Sequence, residues 1–141
     1  YGDAQNYLAE FMSFTRQIPV DVVVWTALEI RSDEEGKPIF GPKGPGKALT
    51  DVCGAWFTDV MHLDTEVKKV GGVPQKDAEG REILERKMFL AEHFPPDFPT
   101  VKFKAKTSAG ADMPTVLPPN MKVFFEEAEK AKAKTRERLL G

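Results

Sequence analysis

The sequence predicts an α/β fold in which a mostly parallel central sheet is flanked by helices. The segment Val20-Asp-Val-Val-Val-Trp25 contains four consecutive apolar residues, 22–25, which is typical of a strand covered on both faces. Apolar residues at helical spacing over 4–16 and 48–59 provide helices on either side of it. We therefore expect residues 22–25 to form a central strand with parallel neighbours.

Local patterns predict the other elements in order along the chain. The residues from Ile30 to Gly41 surround a glycine-containing turn and predict a small hairpin or excursion. Strands are expected at 60–63, with an extension towards Val67, at 86–93 and at 101–106. Asn120 is a favourable N-cap for a terminal helix over 121–141, whose later turns are charged, so we expect it to project into solvent.

Length and composition are those of a single globular domain over residues 1–141. The chain is 41% hydrophobic and 30% charged, and no apolar run approaches the roughly 20 residues of a membrane span. We therefore expect no membrane partner and a cytoplasmic location. The one cysteine, Cys53, excludes an internal disulfide. A net charge of −2 provides no overall attraction to nucleic acid, so contact with DNA would require local basic patches.

The run Gly41-Pro-Lys-Gly-Pro-Gly-Lys47 satisfies the spacing of a phosphate-binding loop but lacks its chemistry. Ala48 stands where a Ser or Thr hydroxyl would hold Mg²⁺. Pro42 and Pro45 remove two of the backbone N–H groups that would contact phosphate. We expect this loop not to bind ATP and Mg²⁺ tightly, and we place the nucleotide loop of the protein upstream of Tyr1.

Several short motifs occur in a characteristic order. They are Tyr1-Gly-Asp3 before a helix, Thr26-Ala27 at a strand end, the Gly41–Lys47 loop, the Phe103-Lys-Ala-Lys106 strand and the Leu117-Pro-Pro-Asn120 helix start. Together they resemble phage-encoded RecA-like, AAA-type ATPases of recombination and single-strand annealing. The phosphate-binding loop and Walker B aspartate of that family are absent. The resemblance therefore implies a partial RecA-like core, its carboxyl-terminal half.

The resemblance also implies roles for particular residues. Thr26 would be a sensor of the γ-phosphate or attacking water, and Lys104 and Lys106 would reach the nucleotide of a neighbouring subunit. The expected DNA contacts are Arg31, Lys37, Lys43 and Lys47. Implied partners are single-stranded DNA and further copies of the chain, in the cytoplasm of a host cell. ATP and Mg²⁺ would be cofactors of the complete protein, with none expected for this chain alone.

Each of these roles has a simpler alternative. Thr26 is compatible with an ordinary hydroxyl at a strand end. Lys104 and Lys106 are also what the solvent face of an edge strand commonly carries, and the loop lysines are compatible with plain surface charge. The alternative function is a small non-enzymatic α/β module for binding or assembly. His62 and His93 lie far apart in sequence, with no cysteine or histidine at ligand spacing, so the sequence predicts no metal site.

Overall fold

The structure is a computed structural model that describes residues 2–34, 37–42, 54–95, 103 and 105–140, with backbone alone for 29–34 and 37–42. The chain divides into two compact units, Tyr1–Phe57 and Thr58–Gly141. They are called unit 1 and unit 2 below, and each is described by itself.

Unit 1 begins with the predicted amino-terminal helix, α1 (Gly2–Thr15). Asp3 lies in its first turn, where a carboxylate interacts favourably with the helix dipole. Met12 and Thr15 are its buried residues, and the Thr15 hydroxyl donates to the Met12 carbonyl at 2.8 Å. Much of its apolar stripe is exposed, since Tyr7, Phe11 and Phe14 are 72%, 55% and 58% accessible.

Residues 22–25 do not form the predicted central strand. They have no regular secondary structure, and Val22, Val23 and Val24 are 42–61% exposed. Only Trp25 is partly buried, with its ring 5.4 Å from that of Phe11 and 6.3 Å from that of Phe57. An apolar run becomes a buried strand only when neighbouring strands satisfy its backbone groups, and no described strand pairs with this segment.

The predicted parallel, RecA-like sheet is therefore wrong. All strand pairs among the described residues are antiparallel and form three small sheets. Parallel pairing needs crossover connections of a dozen or more residues, whereas sequential hairpins need only short turns. The hairpin predicted near 30–41 is confirmed: β1 (Glu29–Glu34) pairs with β2 (Lys37–Pro42), in register from Glu29 opposite Pro42 to Glu34 opposite Lys37.

The predicted loop and second helix of unit 1 are only partly described. Gly41 and Pro42 of the Gly41–Lys47 loop belong to β2, and the rest of that loop lies outside the described residues. Within the segment 48–59, the described part contains a single 3₁₀ turn, Gly54–Trp56.

Unit 2 is built on an antiparallel sheet in the order β3 (His62–Val67), β6 (Leu84–Phe89) and β7 (Val116–Leu117). β3 overlaps the strand predicted at 60–63 with its extension towards Val67, and β6 overlaps the strand predicted at 86–93. Between them, β4 (Lys69–Val70) and β5 (Val73–Pro74) form a short hairpin. Its turn is Gly71-Gly72, with φ of 58° and 82°, a conformation that glycine adopts without strain. The connection between β3 and β6 therefore contains a short hairpin.

One face of this sheet packs against the terminal helix, α2 (Met121–Leu140). The core contains Met88 and Leu117 from the sheet, Phe124, Ala128 and Ala131 from the helix, and Leu90, Ala109 and Met113 from the connecting segments. Asn120 caps the helix as predicted, because its Oδ1 accepts from the Lys122 N–H at 2.9 Å. The helix does not project, since Ala131 is 1% exposed and Arg138 forms an ion pair with Asp112. No helix among the described residues is long and apolar enough to span a bilayer.

Candidate metal centre

Three chain segments of unit 2 meet at one end of β3. His62 is the first residue of β3 and lies opposite Phe89, the last residue of β6. The chain continues from Phe89 to His93, which forms an isolated antiparallel bridge with Phe103. Its two backbone hydrogen bonds are 3.3 Å and 2.8 Å long. Residues that are 31 positions apart in sequence are thereby brought side by side.

The two histidines contact each other through ring nitrogens. His62 Nδ1 lies 2.8 Å from His93 Nε2, and His93 Nδ1 lies 3.4 Å from the Ala91 carbonyl oxygen. Because a carbonyl oxygen only accepts hydrogen bonds, the second contact assigns the proton of neutral His93 to Nδ1. Nε2 of His93 is then an acceptor, and His62 Nδ1 donates to it.

Two phenylalanine rings enclose this pair. Phe103 stacks on His62, with ring centroids 4.1 Å apart and planes 15° apart, and Phe89 stacks on His93 at 3.9 Å and 11°. His62, Phe89 and Phe103 are 5%, 6% and 4% exposed, whereas His93 is partly buried. The rings fix the orientation of both imidazoles and keep most water from them.

Burial also affects the protonation of His93. Desolvation is the main effect on His93 and lowers its pKa, and the neighbouring His62 lowers it further. The hydrogen bond to the Ala91 carbonyl and the negative charges of Asp64 and Glu66 act in the opposite direction, but the pKa remains below its usual value. His93 is therefore kept in the neutral form, which is the form that binds metal ions.

A carboxylate completes the cluster. Asp64 lies two residues after His62, so the pleat of β3 places both side chains on the same face. One carboxylate oxygen of Asp64 and one ring nitrogen of each histidine all lie within 4.8 Å of one another. Oδ1 of Asp64 accepts the Thr65 backbone N–H at 2.8 Å, which holds the carboxylate in place.

Two imidazole nitrogens and one carboxylate oxygen are a donor set typical of Zn²⁺ and of other first-row transition metals. Zinc–nitrogen bonds of about 2.0–2.1 Å in tetrahedral geometry would set the two nitrogens about 3.3 Å apart. The observed 2.8 Å is close to this separation, so a small opening of the pair would admit an ion. The contact between His93 Nδ1 and a backbone carbonyl is the kind of outer hydrogen bond that metal-binding histidines usually make.

The same face of the sheet continues with a lysine between two carboxylates. Lys87 lies opposite Asp64 in the β3–β6 register. Its Nζ contacts a Glu66 oxygen at 3.0 Å and a Glu85 oxygen at 3.1 Å. Hydrogen bonds to Glu66 and then to Glu85 raise the pKa of Lys87 above its usual value, so it remains a cation.

The residues predicted from the ATPase resemblance do not form this site. Thr26 is exposed in an irregular segment of unit 1 and does not end a strand. Lys106 is exposed in unit 2, where its backbone pairs with Val60, and Lys104 lies outside the described residues. Phe103 and Ala105 are buried and Lys106 is exposed, as expected of a strand that presents its lysines to solvent. The roles of Thr26, Lys104 and Lys106 in ATP hydrolysis stay predictions.

The predicted DNA-binding residues are described only in part. Arg31 lies in β1 opposite Phe40, and Lys37 lies in β2 opposite Glu34. Their side chains lie outside the described part of the structure, as do Lys43 and Lys47 altogether. Their role in contacting DNA stays a prediction.

The prediction of no metal site is wrong in its premise, because His62 and His93 lie 31 positions apart in the sequence but are in contact in the structure. The spacing His62-x-Asp64 on a strand was the available local signal, since it places an imidazole and a carboxylate on one face. The contribution of His93 requires knowledge that β6 returns antiparallel beside β3. Comparison with family models, curated proteins and solved structures finds no match to this chain. A functional conclusion therefore depends on the geometry.

Proposed function

We propose that this chain is a binding module that holds a divalent transition-metal ion through His62, Asp64 and His93. The observation that carries the proposal is the convergence of three ligand atoms within 4.8 Å of one another. This function belongs to the non-enzymatic class that the sequence left open as an alternative. Zn²⁺ is the reference ion, because it accepts nitrogen and carboxylate ligands in a site with an open fourth position.

Burial and protonation support the proposal. The His62 ring is almost fully enclosed, and the stacked phenylalanines fix the directions of the ring nitrogens, so little ordering remains to be done when an ion binds. His93 already presents the lone pair of Nε2. His62 would need only to carry its proton on Nε2 instead of Nδ1, and the ion would then replace the hydrogen bond between the two rings.

The ion would also have a structural role. His93 and Phe103 are joined through an isolated bridge, outside the longer ladder of β3 and β6. An ion shared by His62 and His93 would attach this segment to the first residue of β3. Metal binding and folding of unit 2 would therefore be coupled.

Titration calorimetry with Zn²⁺, together with the visible absorption of bound Co²⁺, tests the proposal. His93→Gln and Asp64→Asn remove one ligand each with little change of size. We expect each to weaken binding by more than the roughly 10–100-fold that is lost with an outer hydrogen-bonding partner. Glu137→Gln is the matched control, because this exposed carboxylate on α2 is not part of the cluster.

The Co²⁺ spectrum separates this site from adventitious binding. Binding at the cluster should produce a spectrum that is lost in both ligand variants and kept in the control. Equal Zn²⁺ affinity in the parent chain, His93→Gln and Asp64→Asn would exclude the cluster as the metal site.

A further inference from the structure

Lys87 lies opposite Asp64 of the histidine cluster and forms ion pairs with two further carboxylates, Glu66 and Glu85. β3 presents His62, Asp64 and Glu66 at alternate positions, so all three lie on one face. Glu66 is therefore the next potential ligand along the strand. Same-face neighbours on a strand are about 6.8 Å apart, a distance that the longer glutamate side chain can span by leaning towards Asp64.

The ion pairs of Lys87 oppose that movement. Its ammonium group lies between the Glu66 and Glu85 carboxylates, at 3.0 Å and 3.1 Å. The side chains of Lys87 and Glu66 are both 29% exposed, so water screens this pair less than it would a fully exposed one. Asp64 lies directly opposite Lys87 in the register and belongs to the cluster with the two histidines.

We propose that Lys87 determines the metal preference of the site by holding Glu66 away from the ion. With Glu66 withheld, the donor set has two nitrogens and one oxygen, which suits Zn²⁺. With Glu66 added, the set gains a second carboxylate, which suits harder ions such as Mn²⁺. This inference rests on the proposed function of the site.

Lys87→Met tests the inference, because methionine keeps much of the apolar stem and removes the charge. Loss of a cation near the site should strengthen the binding of any divalent ion. Recruitment of Glu66 should favour Mn²⁺ in addition, and we expect the ratio of Mn²⁺ to Zn²⁺ affinity to rise on the order of tenfold. Arg86→Met is the matched control, since Arg86 is the preceding residue of β6, on the opposite face of the sheet.

A second substitution separates ligation by Glu66 from a general charge effect. Glu66→Gln in the Lys87→Met background should return the affinity ratio to that of the parent chain. Glu66→Gln alone should leave the ratio unchanged, because Lys87 already withholds this carboxylate. Zn²⁺ affinity is measured by competition with a chromophoric chelator, Mn²⁺ affinity by the electron paramagnetic resonance of the free ion, and folding of each variant by circular dichroism.

The possible results distinguish the two proposals. A parent chain that binds neither Zn²⁺ nor Mn²⁺ overturns the proposed function and the inference together. Zn²⁺ binding at the cluster with an unchanged affinity ratio in folded Lys87→Met overturns the inference alone. An equal rise for both ions that persists in the double variant also overturns it, because Lys87 would then act through charge without controlling Glu66.

Discussion

Zinc ion is expected to stabilise this protein against thermal unfolding, and the stabilisation should depend on His93. A ligand that binds only the folded state adds about 2.7 kcal/mol at a free concentration of 100 times its Kd. Unit 2 spans residues 58–141, which is within the size range where 1 kcal/mol shifts Tm by about 4–8 °C. We therefore expect an increase of roughly 10–20 °C in the Tm of unit 2 at that concentration.

The measurement is a circular-dichroism melt at neutral pH, with a chelator or with buffered free Zn²⁺. The increase should be absent in His93→Gln, which lacks a ligand, and kept in Glu137→Gln, which carries its change on the exposed surface of α2. A similar rise in Tm for His93→Gln and the parent chain would show that zinc acts elsewhere. If the two units melt separately, two transitions will appear, and only the transition of unit 2 should shift when Zn²⁺ is added.

Three further predictions concern pH, helix capping and nucleotide binding. The pKa of His93 is lowered in the folded chain, so the unfolded state binds the extra proton more readily. Without metal, the contribution of His93 to the free energy of unfolding in urea should be complete above about pH 6.5 and should be lost as pH falls below it. His93→Gln should reduce that loss, and an unchanged pH profile would contradict the assignment. Asn120→Ala should cost about 1 kcal/mol in urea unfolding, because it removes the cap of α2, and an unchanged midpoint would show that the cap is dispensable. Calorimetry should detect no tight binding of ATP and Mg²⁺, whereas micromolar binding that Lys47→Ala abolishes would show that the Gly41–Lys47 loop holds phosphate.

The two α-helices of the described residues, α1 and α2, were predictable because their signals are local. The stripe along α1 and the Asn120 cap of α2 depend on residues within a few positions of one another. The prediction of a strand at residues 22–25 is wrong because a buried strand depends on residues that are distant in the sequence. Consecutive valines favour extended backbone, but whether neighbouring strands cover them depends on residues far along the chain.

The packing of α2 also depends on residues that are distant in the sequence. Its later turns contain lysine, glutamate and arginine, which predicted a solvated helix. Alanines at 128 and 131 were too small to mark an apolar stripe, yet both are buried against the sheet. Small residues allow close packing and carry little hydrophobic signal, so their role becomes visible only when the partner surface is known.

The candidate site combines a local signal with a long-range one, and only the local one can be read from the sequence. His62 and Asp64 share a face through the strand period alone, but two ligands do not define a metal site. The third ligand depends on the antiparallel return of β6 and on the bridge between His93 and Phe103. That return also delivers Phe89 and Phe103 to the two imidazoles, so the segments that complete the donor set also exclude water from it. The two effects are therefore linked: a change that releases residue 93 from β3 should remove the ligand and expose His62 in one step, so metal affinity and burial of the site should be lost together.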